Sequence, residues 1–182
     1  MRLITFSIAL VLMLVTSSCV PSLQPLYSER DLVLDRALLG QWMESKPDSK
    51  STLTFIEHGD NEYKLISTDD KETSTYLAHL VKLGDKLFLD ISGDPSVNCQ
   101  TLSMPVHMFF LVSQTKPSLK LRDLDDKWLE NYLKKNPAAL KHQIVDKDLI
   151  LTASTEELQR FVLQHVNTRG AFTDPVEYVR KK

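Results

Sequence analysis

The sequence predicts a mainly β, β-rich α+β fold: an antiparallel meander of short strands, curled into a barrel or half-barrel, with two helices packed on it. Three observations predict this class. Between residues 51 and 123, apolar and polar residues alternate with period two in several short segments separated by turns. Two later segments carry apolar residues at helical spacing. No composition shift divides the chain, so we expect a single β-rich domain over residues 31–182.

Residues 1–18 have the pattern of an export signal. Arg2 gives a positive start, Leu3 to Val15 are largely apolar, and Thr16, Ser17 and Ser18 are the small residues that a signal peptidase requires. Because these small residues lead directly into Cys19, the stretch resembles the lipobox of bacterial lipoproteins, with Thr16 where Leu is commonest. A transmembrane anchor is the alternative, but a span needs about 20 apolar residues. A second alternative is a secretory signal that is cleaved at another position.

The lipobox resemblance implies a membrane anchor at Cys19. In that family the thiol is alkylated with diacylglycerol, the chain is cut before the Cys, and the new amino terminus is acylated. Two lipid attachments hold a protein stably, whereas one acyl chain holds it only marginally. In hosts with two membranes, the absence of Asp after Cys19 implies a place on the outer membrane, facing the periplasm.

Residues 19–30 are predicted to be a lipidated N-terminus and a tether, because Pro21 to Ser28 contain two prolines and no apolar period. Residues 29–39 are compatible with a strand or with helical turns. Cys99 is the second of two cysteines, so lipidation at Cys19 excludes an intrachain disulfide. We expect Cys99 to be a partly buried bystander, because a free Cys usually behaves as a small hydrophobe and no neighbouring basic residue would lower the pKa of this thiol. An intermolecular crosslink or a nucleophile is the alternative.

The strands follow from alternation and turns. The predicted hairpins join residues 51–57 to 62–67, 73–83 to 86–91, and 141–145 to 149–152, and single strands are expected at 106–112 and 119–123. Asp125 is the predicted N-cap of a first helix that ends at Asn136 and Pro137. Ser154 and Glu157 form the capping box of a second helix. Phe172 and Tyr178 are expected to dock onto the rest of the domain, and residues 180–182 are expected to form a solvated tail.

Gly40-Gln41-Trp42 stands at the start of this meander, and a helix comes late in the chain. That arrangement resembles the lipocalin and calycin family. The resemblance implies a lipocalin-like barrel in which the Gly turns the chain into the first strand and Trp42 plugs one end. It also implies a late basic side chain against the Trp, for which Arg169 is a candidate. A helix over residues 125–135 ahead of a further hairpin departs from the family's simple strand order, and a core Trp in an unrelated sheet is the alternative.

The chain lacks the common catalytic motifs. It has no Gly-x-Ser-x-Gly, no phosphate-binding glycine loop, no His-Glu-x-x-His and no Cys-x-x-Cys. With 22 basic and 24 acidic residues and no basic cluster, it does not resemble a nucleic-acid-binding protein. We therefore expect no enzyme activity, no catalytic residues, no cofactor and no metal.

The histidines are the remaining candidates for acid/base or metal chemistry. His79 and His107 lie in predicted strands and are candidates to share one interior, but a metal site needs three or more ligands and the sequence fixes no third. His58 lies in a turn and His165 on the apolar stripe of the last helix, where structural or surface roles are expected. The acidic cluster Asp123, Asp125 and Asp126 is attributed to helix capping rather than to cation binding.

Three functional hypotheses follow. The first is a binding module for an apolar small molecule or lipid, with an apolar cavity as in ligand sites. The second is an envelope protein with a filled core that contacts other proteins, and the third is an enzyme of unrecognised type using His79 or His107. The residues predicted to line the cavity are Trp42, Leu53, Phe55, Tyr63, Leu77, His79, Leu87, Leu89 and Phe110.

Overall fold

The computed structural model describes residues 20–94 and 106–181, which form eleven strands and two α-helices. The strands are β1 Leu32–Val33, β2 Gly40–Glu44, β3 Thr52–Glu57, β4 Tyr63–Thr68, β5 Thr73–Leu83, β6 Lys86–Gly93, β7 His107–Gln114, β8 Leu119–Asp123, β9 His142–Val145, β10 Asp148–Leu151 and β11 Val176–Arg180. The helices are α1 Asp126–Lys135 and α2 Thr155–His165. In these described residues no helix is both long enough and apolar enough to cross a bilayer.

Eight of the strands form a closed antiparallel barrel, which confirms the predicted fold class. Strands β2 to β7 each pair with the next strand along the chain, and β11 closes the ring by pairing with both β8 and β2. The insertion that carries α1, the β9–β10 hairpin and α2 lies between β8 and β11. Strand β1 adds to β5 outside the ring, with Leu32 opposite Val81.

The last barrel strand corrects the sequence prediction at the C-terminal end. Residues 180–182 were expected to form a solvated tail, but Arg180 belongs to β11 and stands opposite Trp42 in β2. The strand was hidden because Val176–Arg180 is short and half-exposed, with two charged residues among five. Its pairing partners are far apart in sequence, so only closure of the barrel reveals it.

The helices begin where the capping residues predicted. The Asp125 carboxylate accepts a hydrogen bond from Trp128 N at 2.7 Å, and Ser154 and Glu157 form a reciprocal capping box. Asp125 thus acts as the N-cap of α1, as expected. Asn136 ends α1, with its backbone N–H donating to Tyr132 O.

Two apolar cores lie on opposite faces of the barrel wall. The interior core lies inside the barrel and includes Trp42, Phe55, Tyr63, Leu80 and Leu89. The outer core lies between the wall and the helices. Its members include Val81, Phe88, Phe109 and Leu111 of the wall, Leu129 and Leu133 of α1, and Leu158, Phe161 and Val162 of α2. Alternation along each strand explains the division, because neighbouring side chains point to opposite faces of a sheet.

The N-terminal segment, residues 20–28, is docked along the barrel and differs from the predicted tether. Ser22 exchanges two backbone hydrogen bonds with His107, and Leu23 and Pro21 bond to Leu151. Leu26 is fully buried in the outer core. The prolines suggested a loose chain, but this segment supplies backbone donors and an apolar side chain that cover β6, β7 and α2.

The barrel has two distinct ends. The closed end contains the start of β2, the end of β11 and the β3–β4 turn, as the pairs Gly40 with Phe55 and Trp42 with Arg180 show. The mouth contains the opposite strand ends, where Thr68 pairs with Thr73 and Ser92 with His107. These names are used below.

Candidate functional site

The closed end is sealed by Trp42. Its side chain is 1% exposed, and its indole Nε1 donates to Leu38 O at 2.7 Å. The Arg180 guanidinium lies 4.4 Å from the centre of the Trp42 ring, which is cation–π distance. The same guanidinium donates to the carbonyl oxygens of Leu39 and Ala37. A single basic side chain therefore fixes the turn before β2 and covers the indole.

Gly40 is required at this point for two reasons. Its φ of +107° is in the region that favours glycine, and a Cβ there would stand 2.9 Å from Arg180 Nη1. The basic residue that covers Trp42 is therefore Arg180, and the predicted candidate, Arg169, was wrong. Arg180 was missed because β11 was not predicted as a strand.

Seven of the nine predicted lining residues lie in the interior core. They are Trp42, Leu53, Phe55, Tyr63, Leu87, Leu89 and Phe110. His79 faces the other way: it lies beside Val81 and Leu83 on the alternate face of β5, where Tyr27 of the N-terminal segment covers it. Leu77 is on the same face of β5 as His79, because the two are two positions apart along the strand. The structure therefore separates these two residues from the interior set.

The interior wall differs between its two halves. Near the closed end, Trp42, Tyr63 and Phe55 are at most 2% exposed. Towards the mouth, the interior residues Tyr76, Met108, Phe110 and Tyr178 are only partly buried. Tyr76 and Met108 were not among the predicted lining residues, although the period of two that selected Phe110 also places Met108 on its face. Four partly buried interior residues thus lie towards the mouth, and Leu87 at the start of β6 is a partly buried interior residue at the other end.

Polar groups stand beside this accessible apolar wall. Burial, together with the nearby carboxylates of Glu44 and Asp123, raises the pKa of Tyr178 to about 12, while a hydrogen bond with Ser51 opposes the shift. Tyr178 is therefore a neutral phenol at physiological pH. The mouth half combines aromatic and aliphatic side chains with a hydroxyl and two acidic groups, a composition found in small-molecule sites.

A second cluster, the histidine–carboxylate belt, lies on the outer face under the N-terminal segment. Glu62 bridges two histidines: one oxygen is 3.1 Å from His79 Nε2, and the other is 2.6 Å from His58 Nδ1. Burial lowers the pKa of His79, and the charges of Glu62 and Asp90 partly oppose this. His79 and His107 do share one face, but it is the outer face of the barrel.

Asp90 is the fully buried centre of this belt. Its Oδ1 is 2.7 Å from His107 Nδ1, and its Oδ2 accepts the backbone N–H of Leu26 at 2.7 Å. Tyr27 stacks on His79 with 4.5 Å between ring centres, and burial together with Asp90 and Glu62 raises the pKa of Tyr27 to about 12. The belt therefore holds the N-terminal segment on the barrel.

The histidine and carboxylate side chains of the belt can bind and release protons. The imidazoles are paired with carboxylates, His79 with Glu62 and His107 with Asp90, and the phenol ring of Tyr27 packs against His79. Across residues 20–94 and 106–181, no group of three or more His, Cys, Asp and Glu side chains is arranged to hold a metal ion.

His165 occupies a different setting. Its ring packs against Trp128, Tyr132 and Phe161 with centre distances of 4.6–5.1 Å, and its Nε2 is buried without a hydrogen-bond partner. Burial lowers its pKa. These contacts indicate a structural role for His165, as expected from its position on the apolar stripe of α2. The two cysteines, Cys19 and Cys99, lie outside the described residues.

The candidate ligand site is therefore the mouth half of the barrel interior, and the belt is the polar support of the outer face. No family model, curated protein or solved structure matches this chain.

Proposed function

We propose that this protein is a lipid-anchored module of the bacterial cell envelope that binds an apolar small molecule or lipid inside its barrel. The observation that carries the proposal is the contrast along the interior wall. Trp42 and Arg180 seal one end, whereas Tyr76, Met108 and Phe110 remain partly exposed at the other. An eight-stranded barrel is wide enough to hold one small ligand, as lipocalins do. We extend the lipocalin resemblance on this basis.

The polar groups of the mouth indicate the ligand's chemistry. Glu44 and Asp123 place negative charge near Tyr178, so an anionic head group would be repelled there. The neutral phenol of Tyr178 can donate or accept a hydrogen bond. We therefore propose an elongated apolar ligand with a neutral or cationic polar end.

The anchor is the second part of the proposal. It rests on the small residues that lead into Cys19. Replacing Cys19 with Ala in the full chain should abolish lipidation and cleavage, so the chain should accumulate as an unprocessed precursor. A C19A chain that is still cut and membrane-bound like the parent would contradict the lipoprotein assignment.

The direct test of ligand binding is native mass spectrometry of the full chain, extracted in mild detergent from its own host. We expect a bound species of a few hundred daltons, retained on the folded protein and released by denaturation. Tyr76→Lys places a cation in the mouth half and should abolish the bound mass. Ile56→Lys is the matched control, because Ile56 is 46% exposed on the outer surface.

Two results would contradict the binding proposal. One is a Y76K protein that retains the same bound mass as the parent. The other is a parent protein that carries no mass and also fails to take up a fluorescent polyene fatty alcohol. Either result would favour the alternative of an envelope interaction protein, for which the exposed Ile144 and Val145 are the supporting observation.

A further inference from the structure

We infer that the groove between α1 and the β9–β10 hairpin holds one acyl chain of the lipid attached at Cys19. This inference rests on the proposed anchor at Cys19 and goes beyond it, because an anchor alone gives no acyl chain a place on the protein. It is supported by the course of the N-terminal segment, by a row of apolar side chains and by the groove to which that row leads.

The N-terminal segment begins beside β10. Ser22 forms a parallel bridge with Leu151, the last residue of β10. Because parallel strands advance in the same direction, Val20 stands level with Leu149, two residues before each bridged position. Ser22 also pairs antiparallel with His107, so the chain runs towards the mouth here and its start lies away from the mouth.

The proposed lipid attachment point is close to this strand. Val20 is buried in the outer core, and Leu149 packs against the same core. Adjacent strands are about 4.8 Å apart, and consecutive Cα atoms are about 3.8 Å apart. The Cα atom of Cys19 therefore lies within about 9 Å of that of Leu149, so a lipid on Cys19 starts beside β10.

A row of apolar side chains leads from this point across the hairpin. Ile144 of β9 stands directly opposite Leu149 of β10. Residues at the same level of adjacent strands point to one face of a sheet, so Val20, Leu149 and Ile144 share a face. Exposure increases along the row: Val20 is buried, Leu149 is half-buried, and Ile144 is 67% exposed. Ile144 is thus the most exposed large hydrophobic side chain of the described residues.

The row ends in the groove between the hairpin and α1. This groove has a volume of about 460 Å³, within the range of small-ligand sites, and its apolar lining consists of Leu133, Pro137, Ile144 and Leu149. It lies on the outer face of the barrel, because Leu133 belongs to the outer core and Leu149 packs against it. The groove is therefore separate from the barrel interior.

Charged side chains stand at the rim of the groove. Glu130 and Lys134 line it and pair with each other at 3.3 Å, and their side chains are 44% and 68% exposed. Both charges can thus stay in water while the apolar part of the groove is covered. An uncharged hydrocarbon chain suits this arrangement.

An acyl chain of the anchor itself is the occupant that fits this groove. The lipobox resemblance implies a diacylglycerol and an acylated amino terminus at Cys19, and two chains in the bilayer are enough to anchor a protein stably. One chain is therefore free to leave the bilayer. A short tether gives that chain a millimolar effective concentration at the groove, an advantage that a free lipid or a second protein lacks. Covering Ile144 and Leu149 removes apolar surface from water, which is favourable.

A chain seated in the groove would join the lipid to the domain at two places, Cys19 and the α1–hairpin groove. The domain would consequently rotate less freely relative to the membrane than a domain on a single flexible tether.

The test is photo-crosslinking from the lipid at Cys19. The host is grown with a palmitic acid analogue that carries a diazirine in its acyl chain. The full-length, host-processed protein is then purified, reconstituted into phosphatidylethanolamine and phosphatidylglycerol vesicles, and irradiated. Mass spectrometry of the intact protein first establishes the labelled lipid at Cys19. Trypsin then releases the groove residues in three peptides, 128–134, 142–147 and 148–160.

Two variants provide the comparison. Ile144→Glu places a carboxylate at the groove without adding a tryptic site. Ile56→Glu is the matched control, because Ile56 is an exposed isoleucine in β3, outside the groove.

We expect crosslinks between the lipidated Cys19 peptide and one or more of the three groove peptides. Their yield should fall at least about fivefold in I144E, because a charge beside a hydrocarbon chain is unfavourable, and should be unchanged in I56E.

Three results with labelled protein would overturn the groove assignment and leave the anchor intact. They are crosslinks to vesicle lipids alone, crosslinks spread equally over the domain, and an unchanged yield in I144E. Crosslinks that join an unlabelled copy to an isotope-labelled copy in mixed vesicles would overturn docking within one chain. Protein without lipid at Cys19 overturns the anchor, and the inference falls with it.

Discussion

The two cores of this barrel are built from the same strands but are closed in different ways. The outer core is covered by α1, α2 and the N-terminal segment, and Phe88 and Leu158 within it are fully buried. The interior core is covered by Trp42 at one end, and Phe110 and Met108 remain partly exposed in it. Neighbouring residues on one strand therefore experience different environments.

This difference separates stability from binding. A core that is fully covered contributes apolar burial and little else, whereas a partly exposed apolar wall retains surface that a ligand can bury. The outer core also contains the buried polar contact between Asp90 and Leu26, which ties the N-terminal segment to the wall. Mutations in the two cores should consequently differ in size and in the property that changes.

The largest effect is expected at Asp90. Asp90→Ala leaves the Leu26 N–H and His107 Nδ1 without the buried acceptor they share, at a cost of about 2–5 kcal/mol in the free energy of unfolding. Urea denaturation measures the loss, and hydrogen exchange should show faster exchange in residues 22–28. Asp85→Ala, at an exposed turn, should be almost neutral. Unchanged exchange in residues 22–28 would show that Asp90 does not hold the segment.

A pair of phenylalanines compares the cores directly. Phe88→Ala in the outer core should cost about 3–5 kcal/mol, because it removes a fully buried ring. Phe110→Ala, on the adjacent strand but in the partly exposed interior, should cost about 2 kcal/mol. It should also weaken ligand retention, whereas F88A should leave retention unchanged in the folded fraction. Equal losses of stability would show that the interior is as well packed as the outer core.

Gly40 tests the seal of the closed end. Gly40→Ala combines a strained φ with a contact to Arg180, and should lower stability by about 1–2 kcal/mol. Gly84→Ala is the control, since its φ is +61° but a Cβ there meets nothing within 4 Å. Thermal unfolding of both proteins measures the difference. A larger loss of stability for G84A than for G40A would mean that the loss comes from backbone strain and not from the contact with Arg180.

The smallest effect is a pH dependence from buried histidines. Burial lowers the pKa of His165 below 6.5, so the folded state binds fewer protons than the unfolded state. The resulting stability is present above pH 6.5 and is lost as the pH falls through the folded-state pKa. His165→Leu removes the unpartnered Nε2, so the free energy of unfolding should stay unchanged or rise by up to about 1 kcal/mol. Below pH 6.5, the stability of this variant should fall less steeply with decreasing pH than that of the parent.

Two results would contradict the prediction for His165. If H165L loses stability at pH 8, the imidazole contributes packing or hydrogen bonding that leucine does not replace. If the stability of H165L falls as steeply below pH 6.5 as that of the parent, another group is responsible for the pH dependence. His79 is the first candidate, because burial lowers its pKa as well.

Sequence alone determined most of the local structure and the division of each strand into two faces. Period-two alternation selected Leu53, Phe55 and Phe110 correctly as members of the interior core, because side chains alternate across a sheet. The capping residues Asp125 and Ser154 located both helices, because their side chains bond to nearby backbone amides. These are interactions between residues close in sequence.

Tertiary structure decided which face is inside and what closes the ring. His79 alternates as the interior residues do, but only the docking of Tyr27 shows that its face is the outer one. The pairing of β11 with β2 brings Arg180 to Trp42, a contact across 138 positions that no local pattern encodes. Residues 20–28 gain their order from distant backbone partners, since isolated short segments lose more conformational entropy than local contacts return.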